Sequence, residues 1–322
     1  MSAEVEASSR PAVVHLVWAP LGRSAVHDFL ASYRAHDAGA AHDLAIVLNG
    51  AGVGAAGNSA DGILSREQLL LELDGTPHRL IELDRPVLDL VAYGAAVRTL
   101  GHQRVCLVNS HSRIRCDGWL AALEEALRPS SVGVVGASGS WAGLRSYALY
   151  HLRLPSPYRH VWQDHSKTLS GFRELAGERA EARSGRGPRA RLSTLRGVAE
   201  MLAYGPPFPS PHLRTNVIMA ERALLARLLP DRLTRKVHAY QFESGSKGLT
   251  RRMLSMGLRA QVVDRDGRAY EPEEWPESET FWQGAQDGLM VADNQTEAYR
   301  RGDLDRRLLL SRFAWGERAA PR

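Results

Sequence analysis

The stretch that decides the fold reads RVCLV at residues 104–108, GWLAALEEAL at 118–127 and VGVVG at 132–136. The first and last runs are short, apolar and rich in β-branched residues, which is typical of strands buried on both faces. The middle run places apolar residues at helical spacing and predicts an amphipathic helix. A strand, a helix and another strand in this order predict part of an α/β sheet.

The same alternation extends toward the N-terminus. Strands are predicted at residues 12–18, 44–48 and 78–83, and helices at 24–36, 66–73 and 88–100. This alternation predicts a parallel sheet with helices on both faces. Ligands of such sheets bind outside the carboxyl ends of the strands, so the segments after each strand are the candidate binding loops.

The pattern changes after residue 150. Residues 151–211 are basic and predict a helical insertion, which ends in the proline-rich run at 205–211. After it, strands are predicted at 214–219 and 259–263 and helices at 221–229 and 246–256, followed by a largely helical tail at 281–315. We therefore divide the chain into a disordered tail (1–11), a first half (12–150), the insertion (151–211) and a second half (212–322).

Composition excludes several classes of protein. A content of 44% hydrophobic and 24% charged residues is ordinary for a globular protein and argues against wholesale disorder. The apolar runs are too short to cross a bilayer, and residues 1–10 lack a signal-peptide pattern, so we expect a cytoplasmic protein without membrane insertion. The net charge of +5 is scattered, without a basic stripe interleaved with aromatics, and we expect no nucleic-acid partner.

The cysteines and lysines give two smaller indications. Cys106 and Cys116 lack metal-ligand spacing, and reduced thiols are the simplest interpretation. Only Lys167, Lys236 and Lys247 occur among 41 Lys and Arg residues, and this preference for arginine indicates a bacterial source with a GC-rich genome.

The motifs along residues 88–136 resemble family-2-like glycosyltransferases of the GT-A type. A helix precedes the strand that ends in Cys106-Leu107-Val108, and Gly118-Trp119-Leu120 and the VGVVG strand follow it. The likeness covers residues 12–136 and, more faintly, 214–264. It implies a Rossmann-like mixed sheet flanked by helices, with a helical insertion and a helical C-terminal tail. It also implies transfer of a sugar from a nucleotide-diphosphate-sugar donor to a hydroxyl of a small-molecule or glycan acceptor.

The chain departs from these relatives at the end of the fourth strand. The relatives carry Asp-x-Asp there, which holds Mg²⁺ or Mn²⁺ against the donor diphosphate, whereas this chain has Asn109-Ser110-His111. The change removes two charged oxygen ligands that hard cations prefer. His111 remains a candidate Mn²⁺ ligand, and the alternative is that Asn109 and His111 contact ribose or phosphate without metal. Arg113 and Arg214 are then candidate phosphate ligands, because the guanidinium group suits phosphate geometry.

On the acceptor side, the resemblance implies a carboxylate that accepts the proton of the attacking hydroxyl in an inverting reaction. Glu243 in the run QFESGS is the matching residue, at the predicted start of a helix where a carboxylate is electrostatically favoured. Relatives carry Glu-Asp there, and Ser244 replaces the Asp. The alternative interpretation of Glu243 is a helix-capping glutamate.

The remaining candidates follow from the resemblance and from strand ends. Donor contacts are expected from Ala19, Pro20, Asn49, Asp89, Tyr93, Asn109, Ser110, His111 and Arg113. Acceptor contacts are expected from Trp141, Arg214, Thr215, Asn216, Trp282 and Asp293, since aromatic faces with polar neighbours suit sugars. The aromatic residues could equally belong to the core.

Two other functions compete with transfer. Because both carboxylate motifs are altered, the chain could be a catalytically inactive GT-A-like protein that binds nucleotides or sugars. A sugar nucleotidyltransferase would need a glycine-rich basic loop after the first strand, which residues 18–23 (WAPLGR) match poorly. We expect a soluble acceptor, such as a secondary metabolite or a cell-envelope precursor.

Overall fold

A computed structural model describes residues 9–51, 62–146, 148, 196, 199–233 and 236–319. Most of the expected insertion, residues 1–8 of the expected tail and residues 52–61 after the second strand lie outside these ranges. None of the described helices is long and apolar enough to cross a membrane.

Among the described residues, eight strands form one central sheet. Its first half is parallel, with β1 (Ala12–Trp18) between β2 (Asp43–Asn49) and β4 (Arg104–Val108), and β3 (Arg79–Glu82) at the edge beside β2. Each of these strands was predicted, because buried parallel strands read as short continuous apolar runs. Their carboxyl ends meet at one edge of the sheet, which we call the carboxyl edge.

The second half of the sheet contains an antiparallel strand. β9 (Val217–Glu221) lies between β4 and β6 (Val132–Gly136) and runs antiparallel to both, while β10 (Arg259–Val263) is parallel to β6 and pairs with β11 (Ala269–Tyr270). The sheet is therefore mixed rather than wholly parallel. Because β9 is reversed, the segment that leads into it lies at the carboxyl edge of the sheet.

Four short strands of the described ranges lie outside the central sheet. β5 (Arg113–Ile114) pairs with β12 (Val291–Ala292), and β7 (Gly139–Ser140) pairs with β8 (His212–Leu213). Both pairs are antiparallel and join segments that are far apart in sequence. The first pair fixes the loop after β4 against the C-terminal region.

Helices of the described ranges flank the sheet. They are α1 (Arg23–Ala35), α2 (Arg66–Glu72), α3 (Asp89–Thr99), α4 (Trp119–Leu127), α5 (Arg222–Leu228), α6 (Lys236–Ser244), α7 (Leu249–Ser255), α8 (Asn294–Arg300) and α9 (Leu304–Trp315).

Two apolar layers cover the two faces of the sheet. One packs α1 and α4 on Val13 and Val17 of β1, and the other packs α3 on Val14 and Leu16. Successive residues of β1 thus point to opposite layers, as expected for a strand buried on both faces. Cys106 and Cys116 are buried free thiols.

Several sequence predictions were wrong in detail. The strand expected at 214–219 begins at Val217, because residues 214–216 form a polar turn that hydrogen-bonds to neighbouring segments. The helix expected at 246–256 is α7, which begins at Leu249, and α6 was missed. The tail is helical only in α8 and α9, since residues 281–290 are irregular.

One buried histidine gives the fold a pH dependence. His15 of β1 is buried and stacks on Phe29 of α1, with ring centroids 3.5 Å apart. Burial lowers the pKa of His15 to about 3 from its ordinary value of 6.5, so the imidazole is neutral at pH 7. The unfolded chain binds more protons than the folded chain between these two values. The stability that depends on neutral His15 is present above pH 6.5 and is lost as the pH falls toward 3.

We therefore predict that His15→Leu flattens the acid side of the stability profile. Urea unfolding of the wild-type chain should lose up to about 1.4 kcal/mol per pH unit from this one group below about pH 6. The variant should lack that component. Parallel profiles of wild type and variant between about pH 7 and 5 would contradict the assignment.

Candidate active site

The loop after β4 is held by its own polar side chains. The side-chain oxygen Oδ1 of Asn109 accepts hydrogen bonds from the amide of His111 at 2.9 Å and the hydroxyl of Ser112 at 3.0 Å. The buried hydroxyl of Ser110 donates to the carbonyl of Leu16 in β1 at 2.7 Å. Asn109 and Ser110 thus shape the loop, while the side chain of His111 is exposed.

A cleft of about 250 Å³ opens beside this loop. It is bounded by α1, the loop after β4 and α8, and it lies at the carboxyl edge where ligands of α/β proteins bind. Arg113 donates a hydrogen bond to the carboxylate of Asp28, which ties the loop to α1. The polar residues that line the cleft include Asp28, Ser110, His111, Arg113, Glu297 and Arg301.

Glu297 of α8 is surrounded by three arginines. Its carboxylate accepts hydrogen bonds from Arg300 at 2.8 Å and from Arg115 at 3.2 Å, and the guanidinium of Arg301 lies 3.8 Å away. One carboxylate cannot balance three positive charges. The surroundings of Glu297 therefore carry excess positive charge, and Arg301 brings part of it to the lining of the cleft, which favours an anionic ligand.

A polar turn between β8 and β9 connects the segments of the site. The carbonyl oxygen of Asn216 accepts hydrogen bonds from the amide of Asn109 at 3.0 Å and the hydroxyl of Ser112 at 3.1 Å. Its side-chain oxygen accepts from the hydroxyl of Ser138 at 2.8 Å. We call residues 214–216 the connecting turn, because it joins the β4 loop to the segment that follows β6.

Arg214 anchors the connecting turn through a buried ion pair. Its guanidinium donates to the carboxylate of Asp293 at 2.6 Å and to the hydroxyl of Ser138 at 3.2 Å, and it lies 4.0 Å above the ring of Phe281. Burial acts to raise the pKa of Asp293, but the Arg214 charge and hydrogen bonds from Thr296 outweigh it, so this pKa lies below its usual value. Both charged groups are therefore committed to each other rather than exposed to a ligand.

Thr215 orients the candidate base. Both its amide and its hydroxyl donate to Oε1 of Glu243 at 3.0 Å. Oε2 has no hydrogen-bond partner among the described residues. One carboxylate oxygen is thus fixed by two hydrogen bonds from a single residue.

The position of Glu243 on its helix differs from the expectation. It lies in the last turn of α6, not at the start of a following helix. The helix dipole therefore does not favour its negative charge, and the hydrogen bonds from Thr215 stabilise it instead. Because Glu243 lies in the last turn of α6, it does not cap a helix N-terminus.

A buried histidine lies close to Glu243. Nδ1 of His212 is 3.0 Å from the carbonyl oxygen of Ser210. A carbonyl can only accept, so Nδ1 carries the hydrogen and Nε2 does not. Burial lowers the pKa of His212 more than the charge of Glu243 raises it, so the imidazole is neutral. No motif or spacing distinguishes this histidine from the other eleven in the chain.

The ends of β1 and β2 form a second part of the carboxyl edge. Asn49 is buried, and its amide group exchanges two hydrogen bonds with the backbone of Val87, at 2.9 and 3.1 Å. Trp18 lies against Gly50, where an added Cβ would come within 2.7 Å of the indole ring. Asn49 thus holds the loop before α3, and partly exposed Trp18 is the aromatic surface at this position.

The other expected donor contacts are divided between surface and core. Ala19 is buried in the short 3-10 turn after β1, where its carbonyl accepts from the amides of Gly22 and Leu64, and Pro20 is partly exposed beside it. Asp89 is exposed at the start of α3. These residues do lie at the carboxyl edge.

Three expected aromatic contacts belong to the core. Tyr93 is 1% exposed and Trp282 is 2% exposed, and Trp282 stacks on Phe281 with ring centroids 4.4 Å apart. Trp141 is also buried, and its indole donates to the carbonyl of Pro272 at 2.8 Å. These rings are not available for stacking on a sugar in this conformation, because the interior already covers their faces.

Sequence reasoning missed several residues of the cleft. Asp28 lies on α1, Glu297 lies on α8 and Arg301 directly follows α8, and no sequence motif indicated any of the three. Their contribution depends on α1 and α8 meeting at one loop, although these helices are far apart in the chain. A sequence signal was available only for Trp18, as an aromatic at the end of a predicted strand.

Comparisons with known proteins place glycosyltransferases among the solved structures that resemble this chain. A mannosyltransferase from Pyrobaculum calidifontis, solved with GDP-mannose and Mn²⁺, is 15% identical over 84% of this chain, with a TM-score of 0.42. This chain covers 58% of that protein. Mouse xyloside xylosyltransferase 1 is 14% identical over 79% of this chain and 85% of its own, with a TM-score of 0.37. No family model and no curated protein matches the sequence.

The buried ion pair gives a direct stability prediction. Asp293→Asn keeps the shape of the side chain but leaves the Arg214 guanidinium buried without a countercharge. Breaking such a pair costs about 3–5 kcal/mol of unfolding free energy, measured by urea titration. The exposed pair between Arg318 and Glu277 is the matched control, and Glu277→Gln should cost at most about 1 kcal/mol. Equal losses in both variants would contradict the anchoring role of Asp293.

Proposed function

We propose that this chain is a glycosyltransferase that moves a sugar from a nucleotide-diphosphate-sugar donor to a hydroxyl of an acceptor. We further propose that the reaction proceeds by direct displacement with inversion, and that Glu243 is the general base. The donor diphosphate occupies the cleft beside the β4 loop, and the acceptor approaches from the side of Glu243.

The observation that supports this proposal most directly is the contact between Thr215 and Glu243. The connecting turn binds the β4 loop through Asn216 and orients the Glu243 carboxylate through Thr215. Two adjacent residues thus link the cleft and the candidate base. A displacement reaction requires such a link, because the base must be fixed relative to the bond that breaks.

The proposed transfer step accounts for each bond that changes and for the proton. The acceptor oxygen forms a bond to the anomeric carbon while the bond from that carbon to the diphosphate breaks. The diphosphate leaves with the electron pair, and the hydroxyl proton moves to Oε2 of Glu243. A carboxylate in this role contributes typically 10²–10⁴-fold to the rate. The positive charge around Glu297 stabilises the leaving diphosphate.

Donor recognition involves both parts of the carboxyl edge. Trp18, Pro20 and Asp89 lie near the ends of β1 and β2, where a nucleoside can stack on the indole and hydrogen-bond to the carboxylate. Asn49 supports this region through Val87 rather than by direct contact. His111 and Arg113 line the cleft for the phosphates.

The alternative is a protein of the same fold that binds a nucleotide or sugar without catalysis. The observation that favours it is the lack of acidic residues in the β4 loop, where Asn109 and Ser110 hold the loop instead. The two functions differ in turnover rather than in binding. A sugar nucleotidyltransferase has no comparable support, because residues 19–21 form a short 3-10 turn and not a glycine-rich loop.

We predict that Glu243→Gln lowers turnover without weakening donor binding. Release of nucleoside diphosphate from UDP-glucose, UDP-galactose, GDP-mannose and dTDP-glucose is measured with water as the acceptor. The variant should hydrolyse the best donor about 10²–10⁴-fold more slowly, because glutamine cannot accept the proton. Calorimetry should give the same donor affinity for variant and wild type.

Glu221→Gln is the matched control, because Glu221 is exposed at the opposite end of β9. It should hydrolyse the donor at the wild-type rate. Donor hydrolysis that Glu243→Gln leaves unchanged would remove Glu243 from the mechanism. Binding of every donor without any hydrolysis would favour the non-catalytic alternative, and binding of none would contradict both functions.

A further inference from the structure

The β4 loop does not supply the ligands that a divalent cation requires. Mg²⁺ and Mn²⁺ prefer carboxylate and other oxygen ligands in a near-octahedral arrangement. The Asn109 side-chain oxygen already accepts two hydrogen bonds, and the Ser110 hydroxyl is directed to the carbonyl of Leu16. The residues present at this position therefore do not fit the metal that the GT-A resemblance implies.

The carboxylates around the cleft do not replace those ligands. Asp28 is bonded to Arg113, and Glu297 is bonded to Arg115 and Arg300. The described ranges contain no group of three His, Cys, Asp or Glu residues that could hold a metal ion. His111 is then the remaining candidate metal ligand in the loop. One imidazole is too few ligands for a divalent-cation site.

Two guanidinium groups and two carboxylates line the cleft. They belong to Arg113 and Arg301 and to Asp28 and Glu297. Arg115 and Arg300 do not line the cleft, but both already pair with Glu297. The charge of Arg301 is therefore not needed to balance Glu297, and it is available to an anionic ligand.

Arg301 is the arginine best placed for this task. Its guanidinium lies 3.8 Å from Glu297, farther than the other two arginines that share this carboxylate, and its side chain is 72% exposed while lining the cleft. Turning toward a ligand would therefore break only a long contact, and Glu297 would keep its hydrogen bonds to Arg115 and Arg300. Arg113 lines the same cleft from the β4 loop.

We propose that Arg301, together with Arg113, binds the phosphates in this cleft and takes the place of a divalent cation. The planar guanidinium group can hold two phosphate oxygens at once, which a single lysine cannot do. The identity of the phosphates as those of a sugar-nucleotide donor rests on the proposed function. The positive charge that stabilises the leaving diphosphate then comes from arginine side chains and not from a bound metal ion.

The test is calorimetry on the wild-type chain with UDP, GDP, dTDP and inorganic pyrophosphate, in EDTA and in Mn²⁺. The affinity for the tightest of these ligands should agree within about twofold between the two conditions. Arg301→Gln should weaken that affinity at least about tenfold, whereas the corresponding nucleoside should show no difference between variant and wild type. Arg128→Gln is the matched control, because it removes the same charge from an exposed residue before β6, at the opposite edge of the sheet.

The outcomes separate this inference from the proposed function. Loss of more than about tenfold in affinity on removing Mn²⁺, or wild-type affinity in Arg301→Gln, would overturn the inference and leave the transferase proposal standing. Binding of pyrophosphate that depends on Arg301, with no nucleotide bound, would support the inference and contradict the nucleotide-sugar donor. Failure of every phosphate ligand to bind the wild-type chain would overturn both.

Discussion

The buried pair between Arg214 and Asp293 is the interaction on which the rest of the site depends. Arg214 begins the connecting turn, and Asp293 is the N-cap of α8, where its carboxylate also accepts from the amides of Gln295 and Thr296. The pair therefore fixes the helix that forms one wall of the cleft against the turn that leads into β9. Two charges removed from water tolerate little change of geometry, because their desolvation is compensated only by close contact.

The reversed direction of β9 explains why one short turn can serve the whole site. An antiparallel strand between β4 and β6 begins at the edge where its neighbours end, so residues 214–216 lie beside the β4 loop. Arg214 contacts the C-terminal region, Thr215 contacts α6 and Asn216 contacts the β4 loop. The site is assembled from segments that are distant in sequence, and the backbone of this turn joins them.

The strands were predictable because burial on both faces leaves a clear sequence pattern. β1, β2, β4 and β6 each read as an apolar run, and their predicted ends agree with the observed ones to within one residue. α6 was missed because its sequence, KVHAYQFES, has no marked apolar stripe. Because α6 was missed, Glu243 was predicted at the start of a helix, whereas it lies in the last turn of one.

The partners and burial of the charged residues were harder to predict from the sequence than the strands. Arg214 was expected to contact a ligand, and its partner Asp293 is 79 positions away, so no local pattern indicates the pair. Asp293 and Trp282 were expected on a surface that packing covers instead. The composition of the cleft also depends on tertiary structure, because Arg113 and Arg301 line one cleft only when α8 packs beside the β4 loop.

The central claim is that phosphates bind at the carboxyl edge between the β4 loop and α8. A crystal structure of the chain with a bound nucleoside diphosphate, grown in EDTA, tests this most directly. Density for both phosphates is expected in the cleft, in contact with Arg301 and Arg113, and on the same side of the connecting turn as Oε2 of Glu243. Phosphates bound elsewhere on the molecule would contradict it.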